Sequence, residues 1–170
     1  DLDAVHRRLR AFAEGLPALA RESTDVKTPT DSDLETVARA AWDVVDTASL
    51  ELAVESTETL SADASRLQQA FENLFQNTVD HAVGGPSGAT TVRIGGLSTA
   101  AGFYIEDDGP GIPADRRQDM LAFGVSTGTG SGYGLAIVRT IVEAHGWSLS
   151  VTDSETGGTR FEIETASYGT

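Results

Sequence analysis

Between an apolar strand pattern at 103–106 and an apolar helical pattern at 133–145, the chain carries glycine at 109, 111, 124, 128, 130 and 132. Glycine disfavours helix and opens left-handed backbone conformations, so residues 107–132 are predicted to interrupt regular structure. A stretch of that length inside a compact domain is a functional lid or a disordered segment more often than a plain connection. Both of its ends suggest chemistry. At one end, Asp107-Asp108-Gly109-Pro110-Gly111-Ile112-Pro113 follows a strand directly, and its glycines permit tight turns and close approach of a ligand to the backbone. At the other end, Gly128-Thr129-Gly130-Ser131-Gly132-Tyr133-Gly134-Leu135 runs straight into a helix. Backbone amides and the positive helix end there suit a polyphosphate. Glycine repeats alone remain weak evidence, since linkers show them too.

The rest of the chain reads as helices grouped beside strands. Residues 1–22 repeat apolar positions at helical spacing (Leu2, Val5, Leu9, Phe12, Leu16, Leu19) and predict an amphipathic helix, followed by a polar linker at 23–30 containing Pro29. A second helix is predicted from Asp31 to about Asp46, capped by Asp31 or Ser32, with a strand at 50–55 after it. The third helix opens at Asp63 or Ser65, gathers Leu67, Phe71, Leu74 and Ala82 on one face, and ends at Gly84 and Gly85. Strands are predicted at 91–94, 103–106, 148–152 and 160–164, with the last helix at 133–145. This order predicts an α+β two-layer sandwich, a mostly antiparallel mixed sheet packed on three helices. The main domain is expected at 31–165, with a short tail at 166–170.

Composition narrows the function classes. At 170 residues and 17.8 kDa the chain suits one domain plus an appendage. It has no apolar run near the ~20 residues a membrane-spanning helix needs, and it begins at Asp1 without Met or a leader pattern, so a longer parent chain is expected. The net charge of -14 argues against a nucleic-acid partner. Lys27 is the single lysine among 12 basic residues, an acid-rich, lysine-poor balance like that of proteins from very salty cytoplasm. Without cysteine there is no disulfide framework, thiolate nucleophile or thiolate metal site, so any metal must be held by oxygen or imidazole.

On the third helix Asn73 and Asn77 stand four residues apart and Asp80 seven from Asn73, so all three project from one face, opposite the apolar stripe. Two amides on a helix can be purely structural, and that reading stays open on spacing alone.

The amide helix, the D-x-G-x-G turn and the glycine lid, in this order, resemble the nucleotide-binding domain of histidine kinases, within the superfamily that also holds gyrase, heat-shock chaperone and mismatch-repair ATPases, the Bergerat fold. Glu72-Asn73-Leu74-Phe75-Gln76-Asn77 matches the N box, Asp107-x-Gly109-x-Gly111 the G1 box, Phe123 weakly the F box, and Gly130-x-Gly132-x-Gly134-Leu135 the G2 box. The resemblance spans about 31–164. It implies ATP and Mg²⁺ as ligands, with Asn77 an oxygen ligand of the metal and Asn73 supporting phosphates or metal. Magnesium favours oxygen and is commonly held by few protein groups plus phosphates. The resemblance also implies that Asp107 accepts a hydrogen bond from the adenine amino group, that Gly109 and Gly111 admit the base, and that Gly130, Gly132 and Gly134, with Leu135, let the lid close. Thr159 resembles the hydroxyl residue beside the adenine pocket.

Two positions depart from the family pattern. Where many members place a phosphate-binding lysine this chain has Asp80, and replacement cations are expected from Arg116 or Arg117, with Arg117 favoured; a solvated charged turn is the competing reading. His81 stands where members often carry an aromatic or histidine near the nucleotide, or it simply ends the helix. Position 73 carries Asn where hydrolytic members carry a glutamate general base, and Glu72 is turned ~100° away, so ATP is expected to be spared from water and offered to another acceptor.

The acceptor is expected outside the chain. His145 precedes Gly146 at a helix end and reads as structural, while His6 lacks the acidic residue and proline that follow a phosphoacceptor in the family. Residues 1–22 resemble the tail of the second dimerisation helix, which implies a homodimeric cytoplasmic kinase, membrane-attached or soluble in its full-length form, and a response-regulator receiver as the final partner. The competing readings are an ATP-gated interaction module that transfers nothing and an anti-sigma serine kinase.

Overall fold

The computed structural model describes residues 29–47, 49–82, 88–111 and 134–165. The chain runs β1 (Thr30–Asp33), α1 (Leu34–Val44), β2 (Glu51–Val54), β3 (Thr59–Ala62), α2 (Ala64–Ala82), β4 (Thr91–Gly96), β5 (Gly102–Asp107), α3 (Gly134–Ala144), β6 (Ser148–Asp153) and β7 (Thr159–Glu164). Five strands form one sheet in the order β2-β4-β5-β7-β6, antiparallel except for the parallel pair β2–β4. The expected two-layer α+β sandwich on three helices is therefore present. Residues 1–22, all but the last two residues of the linker expected at 23–30, and the tail at 166–170 lie outside the described residues.

The start of α1 corrects the sequence reading. Residues 30–33 form a strand instead of a first helical turn, pairing antiparallel with β3 from Thr30–Ala62 to Asp33–Thr59. The cap is Asp33, not Asp31 or Ser32: its Oδ2 accepts from Thr36 N at 3.0 Å and Thr36 Oγ1 at 2.7 Å. Its Oδ1 accepts from Thr57 Oγ1 at 2.9 Å, so the cap also fastens the turn before β3. Strand β1 was missed because it is four residues long and mostly exposed; β3 does alternate, burying Leu60 and Ala62 beside exposed Thr59 and Ser61, but over too few residues for the pattern to be read.

Strand alternation divides the large sheet into two faces. Val92, Ile94, Phe103, Ile105, Phe161 and Ile163 point to the helix side and are buried. Phe71 of α2 stacks on Phe75 and meets Phe103, which meets Trp147 edge-on, so one run of aromatic rings ties helix to sheet. The Leu67, Phe71 and Leu74 stripe expected to face the core does so, with each residue at most 2% exposed.

On the other face Tyr104 lies across Gly95, where a Cβ would meet the ring at 2.7–2.9 Å, and the Arg160 guanidinium stands 4.0 Å above that ring. Burial and the bonded Glu55 carboxylate push the Tyr104 phenol up to about 12, which keeps it a donor to Glu55.

At the end of α3, His145 closes the helix against the entry of α2. Its Nε2 accepts from Asp63 N at 3.0 Å while Nδ1 lies 2.8 Å from Ile141 O, and the ring stacks on Trp147. The structural role expected for His145 is what this geometry supplies.

Candidate functional site

The alternation that sends Phe103 and Ile105 to the helix side sends Asp107 there as well, at the end of the central strand β5. Its neighbour across the sheet is the first residue of β7, Thr159, whose N–H lies 3.4 Å from Asp107 Oδ1. Gly109 N donates to the same oxygen at 2.8 Å. Both bonds fall on Oδ1, and among the described residues Oδ2 takes none, so a side chain only 5% exposed keeps one acceptor for a ligand. Burial pushes the Asp107 carboxyl above the usual range; the two N–H groups pull it back, and the charges of Asp108 and Glu106 add to the rise.

Two glycines shape the space around this carboxylate. A Cβ on Gly158 would stand 2.5 Å from Asp107 Oδ1, so the turn between β6 and β7 can lie against the acid only as bare backbone. Gly111 has φ +77, and a Cβ there would come within 2.7 Å of Gly157 O. Asp107, Gly109 and Gly111, singled out on one turn, and Thr159, far from them in sequence, are thus brought into one cluster.

The amide helix is also as expected in its facing. Asn73 and Asn77 are half-buried on α2, away from the buried stripe. Asn73 Nδ2 donates to Gln69 O at 2.9 Å, which leaves its Oδ1 unengaged among the described residues. The Asn77 side chain makes no hydrogen bond to any described residue. Half-buried amides normally find partners, so two unspent oxygens one turn apart suit a hard cation such as Mg²⁺. Among the described residues no three His, Asp or Glu gather to hold a metal by themselves, so such an ion would be shared with a ligand's own oxygens. Asp80 is exposed and accepts from Gln76 Nε2 at 2.9 Å. Glu72 accepts from Gln68 Nε2 at 3.0 Å, a turn back along the helix.

Other predicted positions separate from this group. The Leu135 side chain, 5% exposed, joins the core, and Gly134 opens α3. Arg116, Arg117, Phe123, Gly130 and Gly132, and the side chain of His81, lie outside the described residues. An apolar void bordered by Leu67, Phe71, Phe103, Val138 and Trp147 has no polar wall and offers nothing to a charged ligand. Sequence reasoning overlooked Asp108, whose Oδ1 accepts from Thr90 N at 2.7 Å and Thr91 N at 3.0 Å and whose Oδ2 accepts from Thr90 Oγ1 at 2.6 Å. Burial raises its carboxyl, but these bonds outweigh it and leave Asp108 below the usual range. The only hint in the sequence was the run of three acids, Glu106 to Asp108, closing a strand that is otherwise apolar.

The family described as histidine kinase-, DNA gyrase B- and HSP90-like ATPase matches residues 62–168, from the end of β3 past β7. The chain belongs to this ATPase family. Among curated relatives, the sensor-type histidine kinase PrrB of Mycobacterium leprae is 30% identical over 172 residues, covering 94% of this chain and 37% of that protein. The sensor histidine kinase ZraS of Escherichia coli O157:H7 is 29% identical over 149 residues, covering 85% of this chain and 31% of its own length. This ATPase-family chain thus spans about a third of those relatives. Among solved structures, the ATP binding domain of PrrB from Mycobacterium tuberculosis superposes with a TM-score of 0.66 at 26% identity, covering 84% of this chain and 100% of that one. Fold and family together make the chain a homologue of the catalytic domain of sensor histidine kinases.

Proposed function

We propose that the chain is the Mg-ATP-binding catalytic domain of a two-component sensor histidine kinase. It transfers the γ-phosphoryl group of ATP to a histidine on a dimerisation helix outside this chain. The observations that carry this reading are a buried carboxylate with one oxygen, Asp107 Oδ2, that takes no bond from the described residues, and a helix whose Asn73 and Asn77 side-chain oxygens take none from them either. The 6-amino group of adenine donates to Asp107 Oδ2, where guanine would present a carbonyl oxygen to the carboxylate, and Gly109, Gly111 and Gly158 leave room for the flat base. A charged acceptor in such a bond contributes about 1.5–3 kcal/mol. Asn77, with Asn73, would hold Mg²⁺, which when bound neutralises charge on the phosphates.

Phosphoryl transfer depends on positioning and charge neutralisation more than on protein acid–base groups. Asn73 occupies the place of a water-activating base, and Glu72 is engaged with Gln68, so neither of these two positions brings a poised base to the γ-phosphate. The bond from the γ-phosphorus to the β-phosphate oxygen breaks, a bond to an imidazole nitrogen forms, and ADP leaves. His145 is unsuited as that acceptor because both ring nitrogens are engaged. The acceptor helix, pairing into a homodimer and relay to a receiver aspartate belong to the parent protein. Arg117 and the glycines at 130, 132 and 134 are assigned to the lid side of the phosphates, and His81 and Thr159 to the nucleotide's surroundings. No described helix is long and apolar enough to cross a membrane. The domain is assigned to the cytoplasmic side, where ATP and receivers are found, and its charge of -14 fits a salt-rich cytoplasm and disfavours nucleic acid.

A second reading, an ATP-gated switch that transfers nothing, is favoured by Asp80, which puts a carboxylate and not an ammonium on the amide face. Incubating the full-length protein with γ-labelled ATP separates the two. Acid-labile, base-stable label on a histidine supports the kinase; ATP binding without label supports the switch.

A further inference from the structure

Asp107 is flanked by two acids whose carboxylates are bonded to other parts of the fold. Glu106, 4% exposed, points to the helix-free side of the sheet, where its Oε2 accepts from Ser154 Oγ at 2.6 Å and its Oε1 from Arg160 Nη1 at 3.3 Å. Burying a carboxylate is costly unless it is bonded and paired, and what this one grips is the turn between β6 and β7. Ser154 N donates to Gly158 O at 2.9 Å and Ser154 O accepts from Gly157 N at 3.0 Å, so fixing Ser154 fixes the whole turn. That turn carries Gly158 and the Thr159 N–H, the two groups packed on the Asp107 carboxylate.

Asp108 acts on the other side. The β4–β5 register ends at Val92–Asp107. The next two N–H groups of the incoming chain, those of Thr91 and Thr90, go to the Asp108 carboxylate, which also takes the Thr90 hydroxyl. Three bonds to one carboxylate close the end of the sheet and fix the peptide that leads into the Gly109 N–H. We infer that Glu106 and Asp108 are positioning residues that hold the Asp107 carboxylate from two sides, Glu106 through the β6–β7 turn and Asp108 through the start of β4. This rests on Asp107 being the base-reading group of the proposed site.

The test uses Asp108→Ala and Glu106→Gln in the 170-residue chain, with Thr90→Val and Ser154→Ala as milder variants that each remove one hydroxyl bond. Amide hydrogen exchange at Gly109 and Thr159 is read against Ile105 as an internal core reference, beside calorimetric titration with Mg-ATP and with magnesium tripolyphosphate. Expected is exchange roughly tenfold faster at Gly109 in the Asp108 and Thr90 variants, and at Thr159 in the Glu106 and Ser154 variants, with Ile105 unchanged. ATP affinity should fall about tenfold while tripolyphosphate affinity stays the same. Unchanged exchange or unchanged ATP affinity overturns the inference, and so does an equal loss for ATP and tripolyphosphate, which signals general loosening. Failure of the unaltered chain to bind ATP instead overturns the nucleotide reading, and the exchange rates then still decide whether the two acids hold Asp107.

Discussion

Asp107 and Gly158 are fitted to each other: the carboxylate Oδ1 lies where a Cβ at 158 would come within 2.5 Å, and the backbone oxygen of Asp107 stands closer still. Replacing Gly158 by alanine must therefore push the turn off the acid. Gly158→Ala is expected to destabilise the domain by about 1–3 kcal/mol, the usual cost of overpacking, and to weaken ATP binding. Gly157→Ala is the control, because a Cβ there meets nothing and only its φ of +95 is strained. It should cost about 1 kcal/mol and spare the nucleotide. Melting curves with and without Mg-ATP distinguish the two.

The burial that raises the Asp107 carboxyl also sets a pH signature. A carboxyl whose folded pKa is raised favours its protonated form in the fold, so its contribution to stability is greatest at low pH and is lost as pH rises through the raised value. Asp107→Asn mimics the protonated form. It should raise the melting temperature at neutral pH, lose that advantage as the medium is acidified into the carboxylate range, and bind ATP no better than GTP. Asp108 has the opposite sign, since its depressed carboxyl stabilises the fold above the ordinary range and loses that effect as pH falls. Asp108→Ala should therefore be most harmful at neutral pH, and thermal melts across pH 4–8 show both trends.

The Asn77 side chain makes no hydrogen bond to a described residue, so removing its amide should leave stability within about 0.5 kcal/mol, as for most changes away from packing or bonding. Asn77→Ala is nevertheless expected to weaken Mg-ATP binding roughly tenfold or more through loss of a metal ligand. Titration with ATP in the presence of magnesium or of a chelator checks this, and the variant's deficit should shrink when the metal is withheld.

His145→Ala leaves the Asp63 N–H without its ring acceptor and strips Trp147 of its stacking partner. A loss of about 1–3 kcal/mol is expected from the orphaned donor alone, without any change in ATP affinity or in histidine phosphorylation of the full-length protein. Urea unfolding and a phosphorylation assay read the two effects separately.

A net charge of -14 on 170 residues implies mutual repulsion that salt relieves. The melting temperature is expected to climb between about 0.1 M and about 2 M KCl, and a flat or falling profile would remove the salt-adapted reading.

The large elements were legible because burial writes a period into them. Leu67, Phe71 and Leu74 recur at helical spacing, and Phe103 and Ile105 alternate on a central strand. The cluster of Asp107, Gly109, Gly111 and Thr159 was legible for a different reason: the first three sit on one turn, and Thr159 follows a glycine pair that the sheet register carries back to Asp107. Strand β1 left no trace because its four residues are mostly exposed, and β3 carries the alternation of buried Leu60 and Ala62 over too few residues to be read as a strand. Asp108 and Glu106 were invisible because their partners, Thr90 and Ser154, lie 18 and 48 residues away and are polar residues that any surface turn could carry. Leu135 fitted a motif at the lid's edge, yet its side chain is core.

Asp107 as the reader of adenine is tested most directly by calorimetric titration of the unaltered chain and of Asp107→Asn with Mg-ATP and Mg-GTP. The unaltered chain should bind ATP and discriminate against GTP at least tenfold, the scale of one charge-assisted hydrogen bond, and the variant should lose that discrimination while melting no lower. Equal binding of the two nucleotides by the unaltered chain, or an unchanged preference in the variant, would contradict it.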